Sequence, residues 1–134
     1  MATYSSSDGR SGPATRGFEL YSWLFMRLSG VLLVFLALGH LVIMHVLNNV
    51  EAIDYNFVAS RLAGPLGAVW RSYDLLLLAL ALLHGMNGLR GILHDAVRSP
   101  RWRAISISTV YALTGIFLAL GALVLLSFQP QGVP

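Results

Sequence analysis

Three near-continuous apolar runs, at 28–47, 75–93 and 105–126, dominate this chain, and each approaches the roughly 20 residues that a helix needs to cross a bilayer. A spanning segment must pair its backbone N–H and C=O groups internally, so runs of this kind fold as helices, and three spans is the simplest count. Composition agrees. Hydrophobic residues make up 56% of the 134 and charged residues only 11%, and the mean hydropathy is +0.68, outside the balance of an ordinary soluble domain. The expected fold class is all-α and integral to the membrane, an anchor domain over 21–134 with helices at about 21–49, 70–97 and 103–128. Residues 1–20 are polar, rich in Ser and Gly, and have no apolar core next to a small-residue cleavage site. They are expected to stay on the chain as a flexible tail.

Orientation follows from the arginines, the only basic residues apart from histidine. Arg10, Arg16 and Arg27 precede or open the first span, and Arg98, Arg101 and Arg103 lie between the second and third; Arg61 and Arg71 flank the long loop, and the segment after the third span has none. The positive-inside rule then puts the N-terminus in the cytoplasm and the C-terminus outside the cell membrane. The arginines are spread over loops without interleaved aromatic residues, so nothing suggests a nucleic-acid surface. No cysteine is present, which excludes disulfides, iron–sulfur ligation by this chain and covalent haem attachment. In the loop 51–73, Ile53, Phe57, Val58, Ala59 and Leu62 make a partly helical pattern before a Gly64–Pro65 break, with Trp70 and Tyr73 as interfacial anchors.

Two of the runs carry a histidine near the middle, His40 and His84. An imidazole in hydrocarbon is costly unless something binds it, and ionisable groups at that depth mark working sites. At about 100° per residue, Ser29, Leu33, Leu36 and His40 share one helix face, and His84, Gly88, Gly91 and Asp95 share another. Small residues one and two turns from a histidine leave room for a flat group, or for close packing of a neighbouring helix. A haem fits both features; a hydrogen bond from each histidine to a carbonyl of another helix is the plainer alternative. His45, at the outer end of its helix, and His94, beside Asp95 and Arg98, read as interfacial residues.

Arg27-Leu28-Ser29-Gly30 followed by nine residues and His40, with His45 five further on, resembles the first helix of the hydrophobic membrane anchors of succinate dehydrogenase, respiratory complex II. His84-Gly85-Met86-Asn87-Gly88-Leu89, with Asp95 eleven residues after the histidine, resembles the second helix, where the histidine is an axial haem ligand. The likeness runs over about 22–95. Ala96 stands where anchors of the smaller, four-subunit type often carry a quinone-contacting tyrosine. Histidines in both helices are closer to the di-haem cytochrome b anchors.

The resemblance implies a helical bundle formed with a sister anchor subunit, docked to an iron–sulfur subunit and a flavoprotein subunit, with b-type haem iron held by His40 and His84. His84 would serve the haem nearer the iron–sulfur subunit and His40 the distal one. Haem propionate or pocket contacts would fall to Arg27, Ser29, Gly88, Gly91 and Arg98, and a quinone, menaquinone by analogy, to the outer cluster Trp70, Arg71, Tyr73 and Asp74 or to Asp95 at the cytoplasmic end. Helix rise puts His40 about 20 Å from Arg27 and His84 about 16 Å from Asp95. If Arg27 and Asp95 lie at one depth, the histidines differ by only a few ångströms and could share a single haem; two haems shared with the sister subunit is the reading the family favours. A fumarate reductase anchor, or a cofactor-free subunit of a transporter or channel, are the alternatives.

Overall fold

The computed structural model describes residues 13–129 and is helical throughout its ordered elements. Helix α1 (Pro13–Leu41) runs into a single π-helical turn, Val42–Val46; a 3-10 turn, Val50–Ala52, precedes α2 (Tyr55–Ala63), α3 (Gly67–Ala96) and α4 (Pro100–Ser127). Three segments, Leu20–Val46, Gly67–Ala96 and Pro100–Ser127, are long and apolar enough to cross a membrane. The chain is an all-α, three-span protein.

Local chemistry accounts for the ends. Asp54 caps α2 by accepting from the Phe57 N–H at 2.8 Å. Pro100 at the first turn of α4 lacks only an N–H that the helix start would leave unpaired. Helix α1 starts at Pro13, well before the expected 21, so the later part of the segment read as a flexible tail is helical; the tail residues 1–12 lie outside the described ones.

Helix α3 is central, with α1 packed on one side, α4 on another, and α2 folded over its N-terminal end. Gly121 lets α4 approach α3, because a Cβ there would collide with Leu78 Cδ2. Arg71 ties three helices together: its Nε donates to Leu62 O at 3.1 Å, and its Nη1 and Nη2 to Leu126 O at 3.2 Å and Phe128 O at 2.7 Å. Those carbonyls belong to helix C-terminal turns, which carry orphan acceptors and the negative end of the helix dipole.

Among the described residues, Ser29, Ala59, Leu62 and Gly67 are buried, while large side chains such as Phe35 (72% exposed) and Leu123 (63%) point outward along the spans. The three helices form an open layer with no apolar interior of their own. Lipid and neighbouring helices must cover it.

Candidate functional site

The α1–α3 seam is polar at two levels. At the first, Ser29 lies buried with its Oγ 2.5 Å from Phe25 O and 2.8 Å from His84 Nδ1. A hydroxyl has one proton, and a carbonyl oxygen can only accept it. Ser29 therefore donates to Phe25 and accepts from His84 Nδ1–H, which leaves His84 Nε2 as the ring nitrogen with a free lone pair. Gly30 presses on the same ring, since a Cβ there would lie 3.2 Å from His84 Cε1. Asn87 Nδ2 donates to Ser22 Oγ at 2.8 Å and strengthens the seam toward the α1 N-terminus.

At the second level, His40 stacks on Tyr73, with ring planes 10° apart and centroids 6.4 Å apart. The Tyr73 hydroxyl donates to Leu36 O, and Gly39 makes room for it, a Cβ there coming within 3.1 Å of that hydroxyl. His40 Nδ1 faces Asp74 Oδ1 at 3.7 Å, and the same oxygen takes Arg61 Nη2 at 3.3 Å. Arg61, from α2, lies over the Trp70 ring at 3.9 Å, and its side chain is only 8% exposed. Its Nη1 reaches Met44 Sδ in the π-helical turn at 3.1 Å.

These contacts fix the relative depth of the histidines. His84 is level with Ser29, and His40, eleven residues further along α1, is level with Tyr73 and Asp74, so the two rings stand about 16 Å apart along the seam. One iron cannot take both. The short separation expected above assumed that Arg27 and Asp95 share a depth; with His84 level with Ser29 and α3 running antiparallel to α1, Asp95 lies about 13 Å beyond Arg27.

The other expected residues fall as follows. Arg27 is exposed beside Trp23, 4.2 Å from its ring, and with Arg90 it flanks a cleft of about 370 Å³ that Ser22 and Met26 also line. Gly88 meets only the Met26 methyl, at 3.7 Å, and Gly91 faces open space. Asp95 and Arg98 are exposed at the α3–α4 turn. Of the outer cluster, Trp70, Tyr73 and Asp74 come together, edge to face for the two rings. The Arg71 guanidinium is taken up by helix-end carbonyls, and the arginine that meets Asp74 is Arg61.

Sequence reasoning passed over Gly30, Arg61 and Arg90 as site residues. Gly30 was visible as the residue after Ser29 in a motif already singled out; Arg61 was visible as a cation inside the partly helical loop pattern. Among the described residues no three His, Asp or Glu side chains converge, and each level of the seam carries one histidine.

The model of the family described as succinate dehydrogenase/fumarate reductase transmembrane subunit matches residues 12–123, which span both histidine levels and most of α4. A search of curated proteins finds no match. The family match does not favour a transporter or channel subunit. This chain belongs to the succinate dehydrogenase/fumarate reductase transmembrane subunit family, as a multi-pass, non-catalytic membrane subunit of that enzyme complex.

Proposed function

We propose that this chain is the anchor subunit of a succinate dehydrogenase that supplies one axial histidine to each of two b-type haems shared with a sister anchor, and that it helps pass electrons from the iron–sulfur subunit to menaquinone. The observation that carries the reading is the Ser29–His84 pair. An imidazole that holds iron is oriented by a partner that accepts from its other nitrogen, and Ser29 holds the His84 Nδ1 in that state while Nε2 stays free. The residues fit the group. Gly30 keeps the space beside the ring that a side chain would fill, and the seam is open to a partner helix.

When bound, a haem would supply one-electron transfer, with His84 and His40 as the residues of this chain that would hold iron. The chain orients the rings and supplies charge. Arg27 and Arg90 place two guanidinium groups at one cleft, where the carboxylate of a haem propionate would be matched. Arg98 is left to lipid headgroups. With the N-terminus cytoplasmic, His84 lies on the side of the iron–sulfur partner and His40 beyond it, so the two levels divide the roughly 30 Å hydrocarbon layer into shorter electron steps.

The quinone reading rests on an apolar groove of about 560 Å³ between α3 and α4, lined by Leu78, Leu82, Phe117, Leu120 and Val124, with Asp74 at its outer end. Such a slot suits an isoprenoid tail, and Asp74 offers a polar group at its head; Tyr73 and Trp70, the other members of the outer cluster, stand beside it on α3. Asp95 is the alternative at the cytoplasmic end. The test of the whole reading is a reduced-minus-oxidised visible spectrum of the purified complex with the haem-to-complex ratio. Two b-type haems per complex are expected, and a fully assembled complex without haem overturns it.

A further inference from the structure

The two histidines face different oxygens. His84 Nδ1 meets a neutral hydroxyl at 2.8 Å, whereas His40 Nδ1 is buried with no hydrogen-bond partner and has a carboxylate, Asp74 Oδ1, at 3.7 Å. A buried ring N–H that goes unpaired is costly, and a shift of under about 1 Å would bring it onto that carboxylate. Asp74 is not free to swing away. Its oxygen is held by Arg61, whose guanidinium is stacked against Trp70, touches Met44 and keeps a buried Nε without a partner of its own.

We infer that Asp74 and Arg61 are a positioning pair for His40: Asp74 accepts the Nδ1–H and presents Nε2 outward, and Arg61 sets how much of the carboxylate charge reaches the ring. This rests on the haem reading of His40. An imidazole that donates to a carboxylate is a more basic ligand and favours ferric iron, while a cation on that carboxylate counters the effect. Tyr73, stacked on the ring and anchored to Leu36 O, prevents it from turning away. The two levels of the seam are thus wired differently, by a hydroxyl at His84 and by an ion pair at His40. Arg61 also makes the short helix α2, otherwise a connector, part of the ligand environment.

The experiment is a redox titration of the purified whole complex, wild type, Asp74→Asn and Arg61→Gln, followed at the haem absorption, with EPR of the ferric haems. Asp74→Asn should raise the midpoint of one haem, Arg61→Gln should lower that of the same haem, and the other haem should stay unmoved. The ferric EPR signal of the shifted haem should move in Asp74→Asn, since the ligand itself changes; a shifted potential with an unchanged signal means charge acting through space and overturns the positioning role. So do unmoved potentials, or both variants moving the potential in one direction. If either variant loses that haem, Asp74→Glu and Arg61→Lys decide: the haem should be retained when the charges are kept, and its loss in these too overturns the proposal. A wild-type complex without haem removes the haem reading itself, whereas two haems indifferent to both substitutions remove only the positioning pair.

Discussion

Ser29 is a small residue with a large share of the site, because its one hydroxyl proton decides which nitrogen of His84 is free. Ser29→Ala would leave His84 Nδ1 without its acceptor, and loss of an outer-shell partner typically weakens metal affinity about 10–100-fold. We expect the haem at that level to be retained poorly through detergent washing while the other is kept, as read from the haem-to-complex ratio; equal retention of both would show that the hydroxyl only packs. His40, His84, Ser29 and Asp74 stood out in the sequence as polar side chains in or beside apolar runs, but Ser29 was read as a haem-pocket contact and Asp74 as a quinone contact; their pairing with His84 and His40 comes from the fold. Gly30 and Arg61 did not stand out. A glycine shows no chemistry until the ring beside it is placed, and Arg61 finds Asp74 only through the fold of α2 over α3, a contact that helical spacing does not encode.

At the scale of the element, the tightest join is between α3 and α4. Gly121→Val should force Leu78 aside or the helices apart, at the roughly 1–3 kcal/mol typical of overpacking, and Leu78→Ala in the same chain should restore part of the loss. Thermal stability of the detergent-solubilised complex measures both, and a Gly121→Val complex as stable as wild type would mean that the helices are not in contact there. Arg71 provides the second test of the element ends: Arg71→Ala removes its contacts to Leu62, Leu126 and Phe128, and protease cleavage near the α4 C-terminus should quicken. Span count and approximate position were readable from hydropathy, and α2 was readable as a partial helical pattern before Gly64–Pro65. The start of α1 was not, since 13–20 mixes Thr, Arg and Glu with Pro and Gly and belongs to no apolar run. The histidine levels are separated by the pairing of Ser29 with His84 and of His40 with Tyr73, eleven residues apart on each helix.

As a whole molecule, the chain is an open layer whose polar seam needs a partner. Each level offers one imidazole, and an iron with two imidazole ligands needs a second from elsewhere, so the chain produced alone should bind little haem and aggregate in detergent, while co-production with its sister anchor should restore both. Stoichiometric haem in the isolated chain would contradict this. Family membership, the three spans and the seam converge on an anchor, and the central claim is that its two histidines serve two separate irons. The most direct measurement is the haem-to-complex ratio of the assembled complex in wild type, His84→Ala and His40→Ala, with electron transfer from succinate to menaquinone and to a soluble acceptor followed in parallel. The account predicts two haems, then one, then one, with a different spectral component lost in each variant and with His40→Ala abolishing menaquinone reduction while the soluble acceptor is still reduced. Both haems retained in either variant, or both variants losing the same component, would contradict it.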